Sequence, residues 1–248
     1  MAIIDCFMFF NEFDLLEIRL SSLCDVVDRF VLVESPVTFS GNQKPLFFDQ
    51  NKHDSRFTKF DILHLVSTPV IGWSRAAEAF QRNYLMAGLN DVSPDDIVLI
   101  SDIDEIPNLE SYRFGDEGPF KQKMFYYYLN VRLGPKSWKG TIAVKKKNIR
   151  TFQDLRDIRN KRVPVCRDGG WHFSTNGSVE QITYKIESFA ERRFDTKEIK
   201  DALPKRRAML KDPYNRRKKR LFVEMPTGPK WLLDNQDRYP HLFYRETP

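Results

Sequence analysis

Cysteine is scarce: Cys6, Cys24 and Cys166 are the only three in 248 residues. They are far apart and have no metal-ligand spacing, which excludes a disulfide framework and a thiolate cluster. Cys6 and Cys24 sit among apolar neighbours and read as small core side chains. An odd count without a framework fits a reducing compartment. Long hydrophobic runs are also missing. The apolar stretch at 3–10 has no basic region before it and is too short to span a bilayer, so it reads as a first strand. There is no internal repeat and no low-complexity linker. The expectation is a soluble, cytoplasmic chain.

What is present is globular. Hydrophobic residues make up 41% and charged residues 30%, a balance that argues against disorder. Aromatics are plentiful, with 20 Phe, 9 Tyr and 4 Trp, enough for a core and for ring-lined loops. The net charge of +6 is uneven: 205–220 holds nine basic residues against Asp212, a local +8, so the remainder sums to −2. Such a run suits nucleic acid, anionic lipid or a phosphorylated substrate, or is a solvated helix and loop.

The first half alternates strand and helix patterns. Strands are expected at 3–10, 29–34, 60–66 and 97–101. Helices are expected at 14–24 and at 74–89, the latter opened by a Ser74 cap. This order predicts an α/β fold whose mixed sheet is mostly parallel in its N-terminal half and flanked by helices. Beyond it, 123–133 alternates like a strand and 141–146 is a candidate partner. Helices are expected at 151–160 and 178–192. Residues 169–174 read as a short strand and loop, and the Pro- and aromatic-rich tail from 226 as irregular structure. A nucleotide-binding half followed by an acceptor half, in one domain, is the economical organisation.

The most informative feature is Ile97-Val98-Leu99-Ile100 running into Ser101-Asp102-Ile103-Asp104-Glu105-Ile106-Pro107. This reads as a buried strand ending in an Asp-x-Asp pair. Alternation would point Asp102 and Asp104 the same way. Open α/β sheets bind ligands beyond the carboxyl ends of their strands. Two carboxylates there suit a hard divalent cation shared with substrate phosphates, or form a solvated acidic turn. Glu34 ends a strand and can accept from a base or ribose, or is simply a polar strand terminus. Arg75, Glu78 and Arg82 share a helix face, from which a guanidinium can clamp a diphosphate or simply pair with Glu78. Trp138-Lys139-Gly140 and Gly170-Trp171-His172 place a Trp beside Gly, which suits a sugar ring or a tight core turn. His172 is the strongest histidine candidate, as a metal ligand or a phosphate contact, because His53, His64 and His241 lack a motif-like setting.

Several ordered pieces together resemble glycosyltransferase family 17. They are Phe10-Asn11-Glu12, Leu16-Glu17-Ile18-Arg19-Leu20, Val27-Asp28-Arg29-Phe30-Val31, Val33-Glu34-Ser35, Thr38-x-Ser40-Gly41, Lys44-Pro45-Leu46, Gln81-Arg82-Asn83, the Ser101–Pro107 segment and Gly170-Trp171-His172-Phe173-Ser174. The match covers about 4–189, with an echo at 232–243. The resemblance implies a Rossmann-like GT-A catalytic domain over 1–248. In it, 1–107 is the nucleotide-sugar half, 108–200 the acceptor side and 201–248 the basic segment and tail. It implies an inverting transferase that uses a UDP-sugar, with N-acetylglucosamine as the family's sugar. Asp102 and Asp104 would hold Mn²⁺ or Mg²⁺ on the donor diphosphate, with His172 beside them and Arg82 assisting. The acceptor would be a glycan, glycolipid or glycoprotein.

Two departures stand out. After Ser188-Phe189-Ala190, relatives often carry a His followed by a Glu, whereas this chain reads Glu191-Arg192-Arg193. The animal members also have a membrane anchor, and no such segment is seen here. The general base is not fixed by the motifs; Glu180 is the first candidate and Asp168 the second. Rival readings are a phosphoryl-processing enzyme using Asp102, a nucleic-acid binder or nuclease using 205–220, and an inactive, lectin-like relative. The basic segment is also a candidate peripheral contact with an anionic surface.

Overall fold

The computed structural model describes residues 1–70, 75–113, 116–216 and 219–246. Four short apolar runs build one half of a nine-stranded sheet ordered β3-β2-β1-β4-β7-β6-β8-β5, with β9 attached to β7. β1 (Ile3–Met8), β2 (Arg29–Glu34), β3 (Ile62–Val66) and β4 (Ile97–Asp102) pair in parallel. Their order, 3-2-1-4, reverses direction between β1 and β4. The crevice outside the carboxyl ends of those two strands is the natural ligand position of such a sheet. Helices cover both faces. α1 (Phe13–Leu23) buries Leu16, Leu20 and Leu23 against Phe7, Leu32 and Leu99 on one side. α3 (Arg75–Tyr84) continues into a 3₁₀ turn at Leu85–Leu89, which packs with Val31, Val98 and Ile100 on the other. Fully burying one such Leu contributes about 1.5–3 kcal/mol. The expected Ser74 cap lies outside the described residues.

The second half departs from the expected single strand at 123–133. It forms a hairpin of β6 (Gly118–Tyr127) and β7 (Val131–Lys145), with the chain reversing through 128–130. Tyr127, at φ 64°, begins the turn. Phe125, Tyr126 and Tyr127 are all buried, so the alternation of the sequence is not an alternation of burial. β7 joins β4 antiparallel, and β8 (Gly170–Asn176) runs parallel to β6. β5 (Glu105–Pro107) closes the edge against β8, where Pro107 removes no needed ladder bond. Gly170 at φ 115° is required there, because a Cβ would stand 2.2 Å from the Ile106 carbonyl oxygen. That close approach sets Glu105 opposite His172.

α4 (Phe152–Ile158) is capped by Thr151, and α5 (Val179–Ser188) by a Ser178–Gln181 capping box. The elements that sequence reasoning missed include α2 (Phe47–Asn51) and β9 (Leu221–Val223). α6 (Lys197–Ala208) carries the start of the basic run, where a helix was one of the readings, and contains Pro204. The tail forms α7 (Lys230–Asp234) and two 3₁₀ turns. It is not loose: Leu232, Tyr239, Leu242 and Phe243 pack on Leu15 and Ile18 of α1. No helix among the described residues is long and apolar enough to cross a membrane.

Candidate active site

A cavity of about 530 Å³ opens at the β1/β4 carboxyl ends, a volume typical of a small-molecule site. Asp102 and Asp104 both line it. They do not arrive there by strand alternation, since β4 ends at Asp102 and Asp104 sits in the turn that follows. What shapes the turn is Arg19 of α1. Its guanidinium is fully buried, pairs with Asp5 at 2.6 Å and donates to the carbonyls of Asp102, Ile103 and Glu105 and to the Ser101 hydroxyl.

Each acid has its own cations. Asp102, 32% exposed, accepts from Arg156 Nη2 at 2.6 Å and stands 3.4 Å from Arg82. Asp104, 8% exposed, accepts from Lys185 Nζ at 3.0 Å and lies 3.4 Å from His172 Nε2. Burial alone would raise both carboxyls. Arg156 and Arg82 outweigh it at Asp102, and Lys185 and His172 at Asp104, so both sit below the ordinary carboxylate range. Lys185 is likewise held protonated, because Asp104 and Glu12 outweigh its burial.

Glu105 is the hidden partner of the motif. Fully buried, it takes two bonds from Arg156 at 2.6 Å and one from Trp138 Nε1 at 2.5 Å. It also accepts from the Asp102 backbone N–H. Arg156 is therefore clamped between Glu105 and Asp102 on the buried face of α4, four residues after Phe152. Its signal in the sequence was only that spacing. Trp138 packs at 5.2 Å against His172, and Arg159 lies 4.8 Å over the Trp138 ring. Trp138 therefore faces the cavity, whereas Trp171 packs with the core residues of α1 and β8.

Other expected residues fall elsewhere. Glu34 is fully buried and absent from the cavity wall. Its oxygens accept from the Phe48 and Asp49 backbone N–H groups and meet His64 at 2.9 Å, so it anchors α2 and is not free for a ribose. Glu180 is exposed in the first turn of α5, and Asp168 is exposed in the loop before β8; neither lines the cavity. The carboxylates that do, besides the pair, are Glu12, Glu78, Asp157 and Glu191. Arg82 pairs with Glu78, one of the two expected readings, and also holds Gln153 and reaches Asp102. Arg75, on the same helix, instead pairs with Glu191 at 2.5 Å. Ser188, Phe189, Ala190, Glu191 and Arg193 all line the cavity, so the departure noted at 191–193 falls within its wall.

The acidic pair offers hard oxygen donors of the kind that hold Mg²⁺ or Mn²⁺ through one or two carboxylates together with substrate phosphates. A self-sufficient protein cage is not there. No group of three or more His, Cys, Asp or Glu among the described residues is placed to hold an ion, and His172 meets Asp104 without joining Asp102.

Comparison with known proteins agrees with the residue pattern. The model of glycosyltransferase family 17 matches residues 1–211. The chain belongs to this family. It is 25% identical to the human beta-1,4-mannosyl-glycoprotein 4-beta-N-acetylglucosaminyltransferase over 94% of this chain and 53% of that protein. The rat protein of the same name is 25% identical over 95% of this chain and 54% of its own length. The chain thus spans about half the length of these curated relatives. Among solved structures, the glycosyltransferase GlyE of Streptococcus pneumoniae TIGR4 aligns at a TM-score of 0.32 and 13% identity, covering 74% of this chain and 48% of that one.

Proposed function

We propose that the chain is an inverting, metal-dependent glycosyltransferase that moves N-acetylglucosamine from a UDP-sugar to a hydroxyl of a glycan or glycoconjugate. The observation that carries this reading is the composition of this cavity. One part of its wall is apolar and aromatic, with Met8, Phe9, Phe10, Val37 and Phe39, and suits a nucleobase. Another is dense in charge, with Asp102 and Asp104 among Arg82, Arg156, Arg159 and Lys185, and suits a diphosphate. A third, Phe189, Phe194 and Tyr214, presents packed rings to a sugar face.

In the reaction, an acceptor oxygen bonds to the anomeric carbon as the bond from that carbon to the phosphate oxygen breaks on the opposite face. The electron pair leaves with UDP, and the acceptor proton passes to one of the cavity carboxylates, Glu12, Glu78, Asp157 or Glu191. Arg82, Arg156 and Arg159 offset charge on the departing diphosphate. Asp102 and Asp104 would hold the divalent ion, which supplies Lewis-acid neutralisation of that group when bound. Glu105, Trp138 and Lys185 keep the surrounding side chains in place.

The test is UDP release from a panel of nucleotide sugars, with Mn²⁺ and with EDTA. Slow hydrolysis of UDP-N-acetylglucosamine that needs the metal and is lost in Asp104→Ala is expected. No UDP from any donor in Mn²⁺ would overturn the reading, and full turnover in EDTA would remove the metal from it.

A further inference from the structure

Part of the basic segment is not a solvated strip. Arg206 donates to the Asp212 carbonyl and Arg207 to that of Gly177, and Arg216 is held by buried Asp212 at 2.6 Å. What remains outward forms a compact patch around β9. Lys211 and Arg220 face each other across a bridge, and the Arg220 carbonyl accepts from Gly134 N–H in β7. Lys136 of β7 lies close enough to Lys219 for the two charges to repel. Neither lysine has a carboxylate within ion-pair distance among the described residues. Burial and the Lys136 charge push the Lys219 ammonium down to about 8, against partial opposition from Asp212.

The same patch exposes large apolar side chains that the core does not claim. Phe222 is 51% exposed, Val223 43%, Met209 50% and Met225 84%. They follow directly on Arg220 along β9 or precede Lys211 at the end of α6. Glu224, the carboxylate among them, is spent on Arg132. Cations ringing exposed Phe and Met side chains match an anionic bilayer surface, where headgroups meet the charge and the apolar side chains enter the acyl boundary. The patch also adjoins the cavity, whose wall includes Tyr214 and Arg216 of the same segment.

We propose that Lys136, Lys211, Lys219 and Arg220, with Phe222, Val223 and Met225, dock the protein peripherally on an anionic membrane surface and bring the cavity mouth to acceptors displayed there. This docking stands apart from the transferase reading and is measured without turnover.

The experiment is co-sedimentation of the full chain with vesicles of phosphatidylcholine alone or with about 30% phosphatidylglycerol. The variants are Lys219→Gln/Arg220→Gln and Phe222→Ser/Met225→Ser, all at exposed or half-exposed positions away from the cavity wall. Wild type should bind the anionic vesicles only, and less at high salt. Each double variant should lower the partition coefficient about tenfold while leaving UDP-sugar hydrolysis in vesicle-free buffer unchanged. Equal binding to both vesicles, or variants that bind like wild type, would overturn the proposal. So would binding of a fluorescent single-stranded oligonucleotide without vesicle association. An inactive protein that still binds anionic vesicles overturns only the transferase reading.

Discussion

Arg19 and Asp5 form an ion pair at 2.6 Å with neither side chain exposed, and the remaining guanidinium hydrogens of Arg19 hold the turn that carries Asp102 and Asp104. Removing one member leaves a buried, uncompensated charge. Arg19→Met should cost about 3–5 kcal/mol by urea unfolding. The double change Asp5→Leu/Arg19→Met should recover most of that loss, because no lone charge remains. Transfer should nevertheless stay low, since the turn carbonyls lose their donor. A double variant as active as wild type would show that the turn does not depend on Arg19.

Arg159 is the cation of the cavity wall with no carboxylate in ion-pair reach among the described residues, resting on the Trp138 ring at 4.8 Å. Burial, together with the neighbouring Arg156 and Arg82 charges, lowers its pKa. Positive charge crowded in this way favours an arriving anion. Arg159→Gln should raise the dissociation constant of UDP about tenfold, read by calorimetry, with the unfolding midpoint little changed. Unaltered UDP affinity would take Arg159 out of the donor site.

The parallel half was legible because each of its strands is a short apolar run bounded by turn residues, as at 29–34 and 97–102. The acidic pair was legible too, but not its geometry, since the turn at 103–104 is set by Arg19, eighty-odd residues away in sequence. The hairpin at 118–145 was hidden because Tyr126 and Tyr127, polar-tipped rings, are buried as fully as Phe125. Glu34 misled for the opposite reason. A carboxylate at a strand end looks like a ligand contact, yet two backbone N–H groups of α2 claim it. Arg156 and Arg159 carry no motif, and only tertiary packing of α4 brings them to Asp102.

Lys44 should give the stability curve an alkaline limb. Its side chain is 3% exposed, 4.0 Å from Glu34 and over the Phe10 and Phe47 rings. Burial lowers its pKa to about 8, against partial opposition from Glu34 and Glu12. The unfolded chain holds that proton up to about pH 10.4. Between these limits the unfolded state binds more protons, so stability rises with pH. Relative to Lys44→Met, the wild type should therefore gain about 2–3 kcal/mol as pH rises from 8 to 10.4, and show no difference in slope below 7. Parallel curves across the alkaline range would place the ammonium in water.

Glu191 sits in the cavity wall between Arg75 at 2.5 Å and Arg193 at 2.9 Å, beside the packed rings of Phe189 and Phe194. We propose that Glu191 serves the acceptor, because it lines the cavity wall beside these rings. Glu191→Ala frees two guanidinium groups at the mouth and removes one acceptor for a sugar hydroxyl. The KM for acceptor should rise about tenfold, the worth of one charge-assisted hydrogen bond. Metal-dependent hydrolysis of the donor alone should keep its rate, because Asp102, Asp104 and their cations are untouched. A fall in donor hydrolysis equal to the fall in transfer would move Glu191 from the acceptor side to the donor side.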